Sequence, residues 1–325
     1  MVDIDIEKLK SGDRRSLSKA ITLIESSRPQ DQLAAQDLLK KILPYTGKSF
    51  RLGVTGTPGV GKSTFIETFG QHVISKNHKI AVLAIDPSSP TSGGSILGDK
   101  TRMDKLANEV NAFVRPSPTS GTLGGVAQKT REAILLCEAA GFDFIIIETV
   151  GVGQSEFEVA RMVDFFLLMI LPNGGDELQG IKKGILELAD SIVINKADGE
   201  NLKIATQTQA QYQSALQITT HSSFWNTEVL LNSSLQTKSS EELYKLFMNF
   251  QNLAIQNQQW NKKRQAQNID WYNSLIKDLI FNKIHVSKKL NKHFNEFVES
   301  INNSNITPIE AAHKIVEEIF SGLEK

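Results

Sequence analysis

Arg51-Leu52-Gly53-Val54-Thr55-Gly56-Thr57-Pro58-Gly59-Val60-Gly61-Lys62-Ser63-Thr64 decides the fold. Its second half matches G-x-x-x-x-G-K-[ST], set between a strand-like run, Arg51–Thr55, and a helix-like run from Lys62 to Ser75. In such a strand–loop–helix the backbone amides point inward and form an anion nest at a helix N-terminus. Gly59, Val60 and Gly61 then cradle phosphate, and Lys62 sits on the β- and γ-phosphates. The Ser63 hydroxyl binds Mg²⁺ and Thr64 touches the α-phosphate.

Working outward, short apolar runs recur that fit buried parallel strands: Ile80–Ile85, Phe144–Glu148, Phe165–Ile170, Ser191–Ile194 and Val229–Leu231. Helix-length stretches separate them, including Gly125–Ala140 and Glu177–Ala189. Strands alternating with helices imply a parallel sheet with right-handed crossovers. The fold class is α/β, a mainly parallel P-loop sheet flanked by helices with N-terminal and C-terminal helical extensions. Glycine placement draws the boundaries. Of 22 glycines, all but Gly12, Gly47 and Gly322 fall between Gly53 and Gly199. The first stretch is helical to about Leu43 and is broken at Arg28-Pro29. From Ser240 the chain is helical again, interrupted around Asn302–Thr307, where Thr307 caps, Pro308 takes the first helical position and Glu310 follows. The expected division is a helical extension over 1–46, a nucleotide-binding domain over 47–240 and a helical dimerisation region over 241–325.

Composition sets the class. The chain has 325 residues, 40% of them hydrophobic and 22% charged, in the ordinary range for a globular protein of about two domains. Lys plus Arg and Asp plus Glu both total 36, which argues against a nucleic-acid footprint. One cysteine excludes an internal disulfide and fits a reducing compartment. The longest apolar run, Phe165–Leu171, is far too short to span a membrane. The acidic N-terminus resembles neither a secretory signal nor a transit peptide, so the expected location is cytoplasmic.

Asn195-Lys196-Ala197-Asp198 follows the run Ser191–Ile194 and identifies the base. The Asp198 carboxylate can accept from both N1–H and the 2-amino group of guanine, where adenine offers no donor. A site built around substrate donors rejects an analogue lacking them, by ~10⁴ in good cases. Asn195 steadies the loop and reads the base edge, while the Lys196 stem covers the ring. Three acids approach Mg²⁺: Asp86 after Ile80–Ile85, Asp99 in the Gly93–Asp99 loop, and Glu148 at the end of Phe144–Ile147.

Glu148-Thr149-Val150-Gly151-Val152-Gly153-Gln154-Ser155-Glu156, together with Asp86-Pro87-Ser88-Ser89-Pro90, the Gly93–Met103 loop and Asn195–Asp198, closely resembles the methylmalonyl-CoA mutase-associated GTPases, the MeaB or ArgK family. The resemblance is dense over Phe50–Asp198 and looser at both ends. It implies a SIMIBI-class GTPase, homodimeric, that accompanies an adenosylcobalamin-dependent mutase, using GTP, GDP and Mg²⁺. It implies that Asp86, Asp99 and Glu148 surround the metal with Ser63. It also implies switches at Asp86–Met103, Val150–Glu158 and Gly174–Lys183, the last reaching the partner. Lys62, Glu148 and Lys182 are the catalytic candidates; Lys182 and Lys183 can reach phosphate or partner. One departure is local. The family's Ser-Ala-x pattern with a following glycine is here Asn232-Ser233-Ser234-Leu235-Gln236-Thr237-Lys238. Ser233, Ser234 and Leu235 then serve the base through backbone and hydroxyl contacts.

Other features read as structural. Cys137 lies on an apolar helix face, the six histidines lack zinc-ligand spacing, and the three tryptophans suit packing or dimer contacts. Of the alternatives, a metallochaperone GTPase usually carries His-rich or Cys-x-x-Cys segments, which this chain lacks. A kinase-like ATPase of amino-acid transport conflicts with the N-K-x-D loop.

Overall fold

The computed structural model describes residues 4–85, 103–116, 123–149, 155–173, 183–216 and 224–320. At its centre is β1 (Phe50–Gly56), flanked by β4 (Phe144–Thr149) and β5 (Phe165–Ile170). Beyond β4 lie β2 (Ile80–Ile85) and then β3 (Ala112–Pro116). Beyond β5 lie β6 (Ser191–Ile194) and β7 (Glu228–Leu231). Among the described residues these seven strands form one sheet in the order β3-β2-β4-β1-β5-β6-β7, every pairing parallel. β2, β4, β5 and β6 are buried along their whole length. Both faces are covered, which is why the runs are continuously apolar rather than alternating. The sequence reading omits β3: Ala-Phe-Val-Arg-Pro is short, carries an arginine and ends in proline, the composition of an edge strand.

The chain divides into two compact units, Met1–Arg264 and Gln265–Lys325. In the first, α4 (Lys62–Ser75) and α10 (Thr237–Gln256) pack on one sheet face. Leu243, Leu246, Phe247, Phe250 and Ala254 of α10 are buried there with Phe50, Phe69 and Phe165. The rings of Phe165 and Phe250 meet edge to face at 4.8 Å. On the other face lie α6 (Leu123–Ala139), α7 (Ser155–Ala160), α8 (Lys183–Leu188) and α9 (Leu202–Leu216). Behind α6 sit α2 (Arg14–Glu25) and α3 (Pro29–Ile42), which add a further layer to this core, with the short α1 (Ile6–Lys10) against α2. Asp13 caps α2 by accepting from Ser16 N at 2.7 Å, and Pro29 opens α3 at the predicted break. Cys137 is fully buried in this core, and burial pushes its thiol pKa up, so it packs as an apolar side chain. α5 (Asp104–Asn108) is pinned to α4: Leu106 N donates to Glu67 Oε1 at 3.2 Å.

At the base of the sheet the Arg264 guanidinium donates to both Asp164 oxygens, at 2.8 and 2.6 Å, and to Gly47 O and Ser49 O. Glu138 accepts there from Gly47 N, Ser49 Oγ and Arg51 Nε. This buried network joins the start of β1, the start of β5 and the helix α11 (Gln259–Val286).

The second unit takes in the rest of α11, then α12 (Lys288–Asn302) and α13 (Pro308–Phe320). Ser287 caps α12, and Thr307 Oγ1 accepts from Glu310 N at 3.2 Å to cap α13 as the sequence implies. His293 Nδ1 lies 2.6 Å from Glu318 Oε2, and Lys289 lies 3.0 Å from the same carboxylate. No helix among the described residues is long and apolar enough to cross a membrane.

Candidate nucleotide site

Parallel strands put all their carboxyl ends on one edge, where ligands of open α/β sheets collect. β1 ends there at Gly56, whose φ of +150° brings it so close to β5 that a Cβ would lie 2.3 Å from Met169 O. Gly61 closes the loop at φ +98°, and a Cβ there would lie 2.7 Å from Asn195 Nδ2. Neither position accepts a side chain. The first helical bond, Phe65 N to Gly61 O at 2.9 Å, follows at once. Lys62 Nζ curls over the loop and donates to Gly56 O at 2.7 Å and Thr57 O at 3.3 Å. Burial lowers its pKa, and the carboxylates of Glu148 and Glu156 pull it back up. Thr57 Oγ1 is buried in this loop with no hydrogen-bond partner among the described residues, a hydroxyl that a phosphate oxygen would satisfy.

β4 runs beside β1 in the register Val54–Glu148, which carries Glu148 to the head of α4. Ser63 Oγ donates to Glu148 Oε1 at 3.3 Å, and Glu148 is largely buried. Thr149 Oγ1 donates to Thr55 Oγ1 at 2.8 Å and ties the two strand ends together. A hydroxyl beside a carboxylate, both hard oxygen donors, fits Mg²⁺. Asp86, Asp99 and Lys182 lie outside the described residues, as does most of each switch segment.

The other end of the site is built from the ends of β6 and β7, paired as Ile194–Leu231. Asn195 Nδ2 donates to Val60 O of the phosphate loop at 2.7 Å. Its Oδ1 accepts from Asn232 Nδ2 at 2.7 Å and Ser234 Oγ at 2.9 Å. Those bonds make Asn195, 1% exposed, the brace of the loop. Lys196 adopts φ +58°, turning the chain so that Asp198 follows at the rim. Ser233 Oγ donates to Asp198 Oδ2 and orients the carboxylate. Leu235, on the same loop, is 81% exposed and takes no part in the core. Two participants escaped the sequence reading. Asn232 carries no motif of its own, and its signal is its place just after β7, the strand next to β6. Glu156 is a buried acid that acts on Lys62, signalled by its position in the second-switch string.

A parallel sheet with this loop at the end of its central strand, and an N-K-x-D loop two strands away, defines a P-loop GTPase. Residues 17–289 match the family described as Methylmalonyl Co-A mutase-associated GTPase MeaB, and the chain belongs to that family. GTPase ArgK of Escherichia coli is 45% identical over 304 residues, covering 93% of this chain and 92% of that protein. The Methylmalonic aciduria type A homolog, mitochondrial, of Mus musculus is 48% identical over 281 residues, covering 83% of this chain and 68% of that protein. Among solved structures, the LAO/AO transport system kinase aligns with a TM-score of 0.77 and 37% identity over 97% of this chain and 96% of that one. The chain is a GTP-hydrolysing enzyme that takes guanine nucleotide.

Proposed function

We propose that this GTPase is a chaperone that gates cofactor loading and protection of an adenosylcobalamin-dependent methylmalonyl-CoA mutase or a close relative, acting as a homodimer in the cytoplasm. Membership of a family described by its association with that mutase carries the reading. Asp198 reads guanine, with Ser233, Ser234 and Leu235 closing over the base. Ser63 and Glu148, joined by Asp86 and Asp99, hold Mg²⁺, which when bound neutralises charge on the β- and γ-phosphate oxygens. Lys62 exchanges its carbonyl partners for the phosphates, and Lys182 brings a second cation to the transferring phosphoryl group. The contact between Ser63 and Glu148 supports coupling to a switch, because Glu148 stands two residues before Val150, where the second switch segment begins. Loss of the γ-phosphate is then felt at the root of that segment.

Nucleotide state can bias a client only if the client binds the GTP and GDP states with different affinity, and linkage makes the client change nucleotide affinity by the same factor. The test adds the mutase from the same organism and measures GTP turnover and complex formation with GTP, GDP and no nucleotide. The expected result is slow turnover alone, below ~1 per minute, rising with the mutase. Unchanged turnover and equal affinity in all three states would remove the chaperone reading. Chelation by EDTA is expected to stop turnover, and Lys62→Ala to abolish triphosphate binding. Asp198→Asn is expected to favour xanthosine over guanosine nucleotide.

A further inference from the structure

Away from the nucleotide contacts, one short element is gripped at both ends by side chains from distant parts of the chain. α5 has five residues, Asp104–Asn108, with no side-chain cap at Met103, and is too short to hold itself. We propose that Glu67 and Arg14 are positioning residues for the metal: they clamp α5 as the post from which the first switch segment leaves, so that the phosphate-loop helix and the N-terminal extension together set where Asp99 can stand. The inference rests on the reading of Asp99 as a Mg²⁺ ligand.

The first turn of a helix has N–H groups with no partner inside it, and the last turn has carbonyls in the same position. In α5 the first-turn donor Leu106 N meets both oxygens of Glu67, at 3.2 and 3.3 Å. At the other end Arg14 Nη2 donates to Ala107 O at 3.4 Å and to Glu109 O, and also to Ala112 O, where β3 begins. A carboxylate at the N-terminus and a guanidinium at the C-terminus both complement the helix dipole. Glu67 and Gly70 stand four and seven residues after Ser63, so the three share one face of α4. That face carries the Ser63 hydroxyl at its head and α5 farther along. Gly70 lets α5 come close, because a Cβ there would lie 2.7 Å from Leu106 Cδ2. Met103 and Leu106, both fully buried, lock the post into the same core as Phe65 and Phe69. Asp99 precedes Met103 by four residues, a tether of at most ~14 Å. A post fixed relative to Ser63 fixes the reach of that tether. A loosened post gives the carboxylate more freedom, and metal binding must then pay for more ordering. Arg14 opens α2, so a load on the N-terminal extension is felt at the metal.

The test titrates Mg²⁺ into the full chain loaded with a fluorescent non-hydrolysable GTP analogue, and measures GDP affinity in EDTA alongside. Glu67→Ala and Arg14→Ala are each expected to raise the Mg²⁺ concentration at half-saturation about three- to tenfold, with GDP affinity in EDTA unchanged. Gly70→Ala pushes α5 off α4 without removing a hydrogen bond and is expected to act in the same direction. Glu67→Gln keeps an acceptor for Leu106 N and recovers most of the wild-type response. Arg14→Lys keeps the charge without the planar fork, and gives a smaller shift that can be read even where Arg14→Ala fails to fold. A wild-type Mg²⁺ response in Glu67→Ala and Arg14→Ala would overturn the positioning role, as would a loss of GDP affinity in EDTA that matches the loss in Mg²⁺ response. Asp99→Ala separates the two readings. If it too leaves the Mg²⁺ response unchanged, the metal-ligand assignment of Asp99 falls. If Asp99→Ala alone raises the half-saturation point, that assignment stands and the clamp on α5 has no part in it.

Discussion

The two units hold themselves together differently. In Met1–Arg264 the sheet is buried on both faces, and aromatic rings from Phe50, Phe69, Phe144, Phe165 and Phe247 interlock, with Phe165 and Phe247 at 4.9 Å. In Gln265–Lys325 the buried apolar side chains among the described residues are Ile284, Ala311 and Ile315. Ile269, Tyr272, Ile276 and Leu279, spaced as neighbours along one stripe of α11, stay exposed. A helical segment with so little interior cannot stand on its own burial. The same helical appearance in sequence therefore hides two kinds of helix. α10 is part of the nucleotide-binding unit, whereas the helices after Arg264 present apolar surface outward, which supports the proposed two-fold dimer.

Cutting the chain is the strongest way to break this contrast. A chain ending at Ser240 loses Leu243, Phe247 and Phe250 and is expected to lose cooperative unfolding and GDP binding altogether, by calorimetry and titration. Each of those side chains contributes roughly 2–5 kcal/mol when buried. A chain ending at Arg264 is expected to keep both and to sediment as a monomer.

Next comes the base network. Arg264→Ala strands the Asp164 carboxylate, 2% exposed, without its guanidinium. Breaking one side of a buried pair costs about 3–5 kcal/mol, read as a shift in the denaturant midpoint. The stripe on α11 should respond in the opposite manner. Ile276→Ser with Leu279→Ser is expected to weaken dimerisation by about a hundredfold in sedimentation, while the melting of the nucleotide-binding unit stays put. An unaltered dimer would shift the interface elsewhere.

The smallest effect is a pH dependence inside the first unit. Glu25 pairs with Arg115 at 2.5 Å, yet burial outweighs the arginine and raises the Glu25 pKa above its ordinary value. The folded state therefore holds this proton more tightly than the unfolded chain does. Stability from this group falls as pH rises through the carboxylate range and returns as pH drops. Against Glu25→Gln, the wild type is expected to gain stability between pH 7 and pH 4, checked by urea titration at each pH.

What the sequence disclosed follows sequence distance. The phosphate loop is contiguous, so its strand, glycines and lysine were legible in one string, and the six apolar runs named every strand but β3. The N-K-x-D loop was equally local. Its brace was not, because Val60 lies 135 residues and Asn232 37 residues from Asn195, and no periodicity links them. The place of α10 was hidden for the same reason. Its apolar face looks the same whether it meets a sheet or a second chain, and only Phe50 and Phe165 settle which.

The grip of Arg264 on Gly47 and Ser49 spans 217 and 215 residues of chain. During synthesis the N-terminal helices and β1 emerge first, but the carbonyls at the start of β1 and the carboxylate of Asp164 wait for a cation encoded near the end of the unit. Closing so long a loop comes late and is slow. Until about residue 264 clears the ribosome, the nascent chain holds an unneutralised acid at the foot of its sheet and an uncovered patch of phenylalanine. This is the interval in which the protein itself most needs a holdase, and pulse-labelled chains stalled shortly before and after that point should differ sharply in protease resistance.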